Sequence, residues 1–244
     1  MLRLLLLPLN LVQLVLMWVW TTIGVLLAML VTLVARRPHP SLWMAHRPWS
    51  PVAMGIMLSR VEVETESEPD FQRTHVVVCN HQSMADIPAM FYAMRTPIRF
   101  IAKKELFSLP VVGWYLRSTG MIPVDRGRGR AAMENLVREG SKDLEGTSVV
   151  AFPEGTRSRD GSLGRFKKGA FRLAMERGLP ILPVSVEGTR HLVSRSGLFG
   201  RPAKVRVRIG AAIETAGMEA GRLSELVEQA EAEVRRLHAA AAAG

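Results

Sequence analysis

Residues 4–35 form an almost unbroken apolar run, interrupted only by Asn10, Gln13 and three threonines. A bilayer-spanning helix needs about 20 such residues, and this run would measure about 48 Å as a helix. The apolar region of a signal peptide has roughly 7–15 residues and ends at a small-residue cleavage site. This run is longer and ends in Arg36-Arg37-Pro38. It therefore predicts a membrane-associated helical segment rather than a buried core helix, one that tilts, kinks near Pro8 or folds back.

The flanks of this run predict an orientation. Arg36 and Arg37 follow it and Arg3 precedes it, and cytoplasmic flanks carry the excess of basic residues. We therefore expect the rest of the chain on the cytoplasmic side of a membrane, which in a bacterium is the inner membrane. Residues 41–59 carry few charges and read as an interfacial neck. The predicted organisation is a membrane segment with its neck over residues 1–59, and one domain with a C-terminal helix over residues 60–244.

Composition narrows the choice of partners. The formal net charge of +10 indicates an anionic partner, which can be nucleic acid, an anionic membrane or a phosphorylated substrate. No zinc-ligand spacing or RNA-binding aromatic pattern accompanies the charge, so anionic lipid explains it better than nucleic acid does. Cys79 is the only cysteine, which excludes an intrachain disulfide and a thiolate metal site. The six histidines are scattered, so the sequence indicates no metal.

Beyond residue 60, short apolar runs alternate with amphipathic stretches. The predicted strands are residues 75–79, 98–102, 120–124, 148–152, 181–187 and 204–209. The predicted helices are residues 87–95, 104–117, 130–144 and 166–177, with a last amphipathic helix from about residue 218. This order predicts an α/β fold with a mainly parallel or mixed sheet flanked by helices, which binds ligands at the carboxyl ends of its strands. Residues 204–209 alternate basic and apolar side chains, which indicates an edge or half-exposed strand with solvated arginines.

A histidine and an aspartate follow the first buried strand. His81 comes directly after residues 75–80, and Asp86 lies five positions later. On one helix these residues would point about 140° apart, so they meet only if His81 lies in a loop and Asp86 in a first helical turn. Pro88 agrees, because proline is tolerated in a first turn. A carboxylate that accepts one imidazole N–H leaves the other nitrogen able to take a proton, which is the arrangement of a general base.

A second segment repeats this design. The apolar strand at residues 148–152 runs into Pro153-Glu154-Gly155-Thr156-Arg157, a turn with one acidic and one basic side chain. In isolation such a turn is as often a solvated surface loop as a site. Because both segments follow strands, we expect them at the edge of the sheet where ligands bind.

Together the two segments resemble the first and third motifs of the glycerolipid acyltransferases, the family marked by an HxxxxD motif. Further blocks match in the family's order: residues 103–106 with 120–126 resemble the second, and residues 179–184 resemble the fourth. The resemblance covers roughly residues 50–210. The second block carries Asp125-Arg126 where the family pattern expects an arginine, so that match rests on Arg126.

The resemblance implies a reaction and a set of roles. A fatty acyl group would pass from an acyl thioester to the free hydroxyl of 1-acylglycerol-3-phosphate, giving phosphatidate in phospholipid biosynthesis. His81 would be the general base and Asp86 would orient it. The residues at matching substrate-binding positions are Lys103, Arg126, Glu154, Gly155, Thr156 and Arg157. Acyl-CoA or acyl-carrier protein would be a cosubstrate, with no bound cofactor.

Several alternatives stay open at this stage. The same chemistry could use glycerol-3-phosphate or another lysolipid as acceptor, and a lipid-binding module without catalysis is a more distant possibility. Ser83 or Cys79 could act as a nucleophile. The spacing from Ser83 to Asp86 is also that of a helix cap, and capping would compete with the orienting role of Asp86.

Overall fold

The computed structural model of the chain describes residues 6–125, 129–142, 144, 146–193 and 200–243. Its apolar run forms one continuous helix, α1 (Leu7–Ala35). Pro8 lies in the first turn of α1, where an N–H would have no carbonyl partner within the helix. Arg36 ends α1 in a left-handed conformation with φ of 54°. Among the described residues, α1 is the one helix long and apolar enough to cross a membrane.

After α1 the chain turns back along it. Helix α2 (His39–Met44), a π-helical turn (Ala45–Trp49) and helix α3 (Ser50–Ile56) follow one another, and we call residues 39–56 the neck. Four side-chain hydrogen bonds join the neck to α1, between Thr32 and Ser41 (2.8 Å), Trp49 and Thr21 (3.3 Å), Trp20 and the Trp49 carbonyl (3.1 Å), and Gln13 and the Ile56 carbonyl (2.8 Å). The partners advance in opposite directions along the two segments, so α1 and the neck form an antiparallel helical hairpin. The chain therefore folds back after the end of the apolar run and not within it.

The described part of the domain contains a seven-stranded mixed sheet in the order β1-β7-β6-β2-β5-β3-β4. The strands are β1 (Arg60–Thr65), β2 (Val76–Cys79), β3 (Ile98–Lys103), β4 (Ile122–Val124), β5 (Ser148–Ala151), β6 (Ile181–Glu187) and β7 (Lys204–Ile209). The pairing of β6 with β7 is antiparallel, and the other neighbouring pairs with a recorded register are parallel. The buried strands β2 and β5 therefore lie side by side with their carboxyl ends at one edge.

Helices cover both faces of this sheet. They are α4 (Asp86–Ala93), α5 (Val112–Ser118), α6 (Gly129–Gly140), α7 (Gly169–Arg177), α8 (Thr189–Leu192) and α9 (Leu223–Ala243). Successive β2 side chains point to opposite faces. Val77 and Cys79 pack in a core with α4 and the neck, whereas Val76 and Val78 pack in a second core with α6, α7 and α9.

The predicted helix over residues 104–117 is two elements. A 3-10 helix spans Lys104–Ser108, and α5 begins only at Val112. Pro110 separates them, because proline disfavours helical geometry in the residue before it. Leu109 accordingly has an extended backbone.

The edge assignment of residues 204–209 is wrong, although the half-exposed pattern is right. β7 lies inside the sheet between β6 and β1, a strand that the sequence analysis did not identify. β1 has only two valines among charged residues, which hides its strand pattern. The basic residues of β7 pair with it, as Lys204 Nζ with Glu62 (2.6 Å) and Arg208 with Glu64 (2.9 Å).

Candidate active site

Three neighbouring strands end at the candidate site. β2 leads through Asn80 to His81, β5 leads to the turn at residues 152–158, and β6 leads to Gly188 and Thr189. The three strands are adjacent and parallel, so their carboxyl ends meet at one edge. The two motif segments predicted to share this edge do so.

His81 and Asp86 meet as the spacing requires. His81 lies in the loop after β2, and Asp86 is the first residue of α4. The imidazole Nδ1 lies 2.7 Å from Asp86 Oδ2. Asp86 is fully buried, and the His81 side chain keeps 11% of its exposure. The carboxylate accepts the Nδ1–H, which leaves Nε2 as the acceptor nitrogen, with no hydrogen-bond partner among the described residues.

Three further donors hold the Asp86 carboxylate. Oδ2 also accepts the backbone N–H groups of Gln82 (2.7 Å) and Ser83 (2.9 Å), and Oδ1 accepts the Thr189 hydroxyl (2.5 Å). Together with the His81 imidazole, these donors fix the position of the buried carboxylate. Asp86 therefore binds the loop amides before its helix and orients His81 at the same time, so the two roles do not compete.

Neither Ser83 nor Cys79 is placed to act as a nucleophile. The Ser83 hydroxyl is buried and donates to the Val193 carbonyl (2.7 Å) while it accepts the Ala85 N–H (3.2 Å). Cys79 is fully buried, and desolvation raises the pKa of its thiol well above the ordinary value. A reactive thiol needs a lowered pKa and access to its substrate, and Cys79 has neither.

The turn after β5 is bound directly to the His81 loop. The Phe152 ring stacks on the His81 imidazole with ring centroids 4.1 Å apart and planes inclined by 14°. The backbone N–H of Ser158 donates to the His81 carbonyl (2.8 Å). One face and the backbone of His81 are thus fixed by residues more than 70 positions away in the sequence.

Glu154 joins the same structure through both of its oxygens. Oε1 accepts the backbone N–H of His81 (2.8 Å), and Oε2 accepts that of Gly164 (2.9 Å). Burial raises the pKa of this carboxyl, while the two N–H donors act in the opposite direction. The resemblance places Glu154 among the substrate-binding residues. The contacts that the structure describes tie the His81 loop to the chain at Gly164.

Two cations lie beside this turn without a carboxylate partner. Arg157 is half-buried and forms no ion pair or hydrogen bond with any residue that the structure describes. The backbone N–H of Lys167 donates to the Pro153 carbonyl (2.9 Å), which holds Lys167 next to the turn. A Cβ atom on Gly155 would lie 2.6 Å from Lys167 Nζ. Gly155 also has φ of 74°, a backbone conformation that favours glycine.

The other predicted substrate-binding residues are distributed along the same edge. Lys103 ends β3 and pairs with Glu105 (3.2 Å), and Thr156 is exposed on the turn after β5. Arg126 lies outside the described residues. The predicted set is therefore brought to one edge of the sheet as far as the structure describes it, with Arg157 the least engaged of its cations.

Residues from the end of β6 complete the site, and the sequence analysis missed them. The Asn80 side chain donates to the Val186 carbonyl (2.9 Å) and accepts the Val186 N–H (2.8 Å), and Gln82 donates to Glu187 (2.8 Å). Thr189 adds its bond to Asp86. The sequence does show polar residues after this third strand. They could not be assigned to the site, because only the strand order of the folded sheet shows that β6 lies next to β2.

Comparison with known proteins agrees with this geometry. The family model described as Acyltransferase matches residues 60–187. A chloroplastic 1-acyl-sn-glycerol-3-phosphate acyltransferase of Brassica napus is 40% identical over 124 residues, which are 51% of this chain and 36% of that protein. A 1-acyl-sn-glycerol-3-phosphate acyltransferase of Saccharomyces cerevisiae is 33% identical over 215 residues, 84% of this chain and 68% of the yeast protein.

A solved structure matches almost the whole chain. The crystal structure of the 1-acyl-sn-glycerophosphate acyltransferase from Thermotoga maritima superposes with a TM-score of 0.77 at 28% identity, covering 97% of this chain and 95% of that one. The likeness therefore includes α1 and the neck as well as the sheet. The family match spans more than half of the sequence, from β1 to the end of β6. The chain belongs to the acyltransferase family.

Proposed function

We propose that this protein transfers a fatty acyl group from an acyl thioester to the free hydroxyl of 1-acylglycerol-3-phosphate, forming phosphatidate. The observation that carries the proposal is the state of His81. Its Nδ1 is bound to a buried carboxylate, and its Nε2 has no partner among the described residues. An imidazole held in this way is set up as a general base for a hydroxyl, a role that contributes typically 10²–10⁴-fold to a rate.

In this reaction, Nε2 of His81 takes the proton of the acceptor hydroxyl as its oxygen attacks the thioester carbonyl. A C–O bond forms and the carbonyl oxygen becomes an oxyanion. Collapse of this intermediate breaks the C–S bond, and the proton on His81 passes to the departing thiolate. Asp86 stabilises the imidazolium between the two steps. Each turnover yields one ester and one free thiol, without a covalent acyl-enzyme.

Arg157 and Lys167 support an acceptor that carries phosphate. A guanidinium can bind two phosphate oxygens at once, and an ammonium adds a second charge. Arg157 lies on the turn that contacts His81 and Lys167 lies next to that turn, and neither has a carboxylate partner among the described residues. Arg126 and Lys103 are further candidates on the same edge. Glu154 acts in this proposal through the His81 backbone rather than on the phosphate.

We further propose that α1 binds the membrane along its length rather than crossing it. Exposed apolar side chains cover the side of α1 away from the domain, among them Val15, Val19, Leu26, Leu30, Leu33 and Val34. The opposite side bonds to the neck from Gln13 to Thr32. A spanning α1 would draw the neck into the hydrocarbon core. A helix lying in one leaflet keeps the domain at the surface, which in a bacterium would be the cytoplasmic face of the inner membrane.

Two acyl donors fit the proposed chemistry. Acyl-CoA and acyl-carrier protein both present an acyl thioester on an anionic carrier, and the net charge of +10 suits either. No cofactor enters the proposed steps, since the thioester supplies the activated acyl group.

The experiment compares acceptors under one readout. Wild-type protein and H81A are purified in detergent, and free thiol released from acyl-CoA is followed with lysophosphatidate, glycerol-3-phosphate or lysophosphatidylcholine. Extracted lipids are identified by mass spectrometry, and the H81A preparation is the blank for contaminating activity. A parallel series uses acyl-carrier protein as donor.

Release that requires lysophosphatidate and yields phosphatidate supports the proposal. Release with glycerol-3-phosphate alone would assign the protein to the preceding acylation. Release with lysophosphatidylcholine alone would contradict the proposed acceptor, because that lipid carries a phosphodiester instead of the phosphate monoester of lysophosphatidate. No release with either donor, in folded wild-type protein, would favour a lipid-binding role instead.

A further inference from the structure

The two carboxylate oxygens of Asp86 differ in the number and the origin of their hydrogen-bond donors. Oδ2 accepts His81 Nδ1–H and the N–H groups of Gln82 and Ser83. Oδ1 accepts the Thr189 hydroxyl at 2.5 Å, and no other hydrogen bond to Oδ1 is found in the described part of the chain. The donors on Oδ2 all come from the loop that Asp86 itself follows. Thr189 comes from 103 positions further along the sequence.

The chain turns sharply at Gly188, between β6 and α8, and this turn places the Thr189 hydroxyl next to Asp86. Gly188 follows β6 with φ of 93°, and a Cβ atom there would lie 2.1 Å from the Lys204 carbonyl oxygen. Only glycine satisfies both conditions. The turn starts α8 at Thr189, whose side chain is fully buried against Asp86.

The Thr189 hydroxyl is not needed to hold β6 against β2. The two strands are already paired, and the Asn80 side chain extends the pairing with two hydrogen bonds to Val186. Gln82 adds a third link through Glu187. What Thr189 adds is a directed bond to one oxygen of one carboxylate, and that bond fixes the rotation of the carboxylate group about its terminal torsion.

We propose that Thr189 is a positioning residue for acyl transfer, whose hydroxyl holds the carboxylate plane of Asp86 so that Oδ2 stays aligned with His81 Nδ1. The inference rests on the proposed function, because it concerns the same dyad. Without the hydroxyl, Oδ1 loses its donor in a buried site and the carboxylate can rotate away from the imidazole. The consequence is a slower chemical step with substrate binding left intact.

The test uses three substitutions of buried threonines. T189V removes the hydroxyl and keeps the shape, and T189S keeps the hydroxyl. T215V is the matched control, because Thr215 is also fully buried and its hydroxyl donates to the Leu179 carbonyl (2.7 Å) before β6, whereas Thr189 follows β6. We measure kcat, KM for both substrates and the thermal midpoint of each variant. T189A serves as a second hydroxyl deletion if the valine is not accommodated.

We expect T189V to lower kcat by about ten- to a hundredfold, the effect of one buried hydrogen bond, with KM unchanged. T189S restores most of the loss, and T215V lowers only the thermal midpoint. The inference is overturned if T189V loses no more kcat than T215V, or if T189S loses as much as T189V.

A second readout needs no substrate and separates this inference from the proposed function. The imidazole N–H of His81 hydrogen-bonded to Asp86 gives a downfield proton resonance in the detergent-solubilised protein. T189V shifts or broadens that resonance, and T215V leaves it in place. An unchanged resonance in T189V contradicts the inference. An inactive wild-type protein whose resonance still responds to T189V would contradict the proposed function alone.

Discussion

Two buried carboxylates at this site have different tasks because their donors differ. Asp86 receives an imidazole N–H and a hydroxyl in addition to backbone amides, and in the proposed mechanism it stabilises the imidazolium of His81. Among the described residues, Glu154 receives only the backbone N–H groups of His81 and Gly164. Its raised pKa indicates that burial makes its charge costly, and the two amides offset that cost.

This difference predicts the effect of E154Q. Glutamine has one acceptor oxygen, so one of the two backbone N–H groups would face an NH₂ group. We expect the free energy of unfolding to fall by about 1–3 kcal/mol, and kcat to fall because the His81 backbone is released. Denaturant unfolding and steady-state kinetics measure the two effects.

E231Q is the control for this substitution. Glu231 also accepts a backbone N–H, from Phe166 at 2.8 Å, but it belongs to α9. Its substitution should lower stability and leave kcat unchanged. Equal losses of kcat in E154Q and E231Q would show that Glu154 has no particular connection with His81.

At the scale of elements, charge complementarity places β1 at the edge of the sheet. β1 pairs in parallel with β7, and the register sets Glu62 opposite Arg206 and Glu64 opposite Arg208. Opposite charges on facing strands stabilise a pair, and like charges destabilise it. This pairing lets a strand with few apolar residues close one side of the domain.

E64K tests this pairing. A lysine opposite Arg208 should lower the free energy of unfolding by about 1 kcal/mol, and the double reversal E64K/R208E should recover the loss. Chemical denaturation of the single and double variants measures the coupling. If the double reversal is no more stable than E64K, the ion pair does not hold β1 to β7.

The elements also show what a sequence can and cannot predict. Six of the seven strands in the described sheet follow from apolar runs, and the His81–Asp86 contact follows from spacing and Pro88. β1 could not be predicted from the sequence, because its charged side chains make sense in a strand only when the basic residues of β7 are known to lie opposite them. The roles of Thr189 and the Glu154 amide bonds could not be found either. They depend on strand order, which brings together residues 73 and 103 positions apart.

For the whole molecule, α1 and the neck would connect the site to a lipid substrate in the proposed function. One side of α1 bonds to the neck, and the other presents a continuous apolar surface. The neck in turn packs in the same core as α4, the helix that begins with Asp86. If α1 lies in one leaflet as proposed, a lysolipid in the membrane surface would be close to the catalytic edge without leaving that leaflet.

Placing charge on the outer side of α1 tests this arrangement. V15D combined with L26D should reduce binding to anionic vesicles, because each charge opposes burial of an apolar face. We expect kcat with dispersed short-chain substrates to be retained. Vesicle sedimentation measures the binding. Unchanged binding would mean that this side of α1 does not face lipid.

The most direct test of the central claim is the rate of phosphatidate formation by wild type and H81A with saturating lysophosphatidate and acyl-CoA. If His81 is the general base, wild type forms phosphatidate and H81A loses at least about 10²-fold in kcat while it keeps its fold and thermal midpoint. Phosphatidate formation by folded H81A at the wild-type rate would contradict the account, because no other described residue occupies the position of a base beside Asp86.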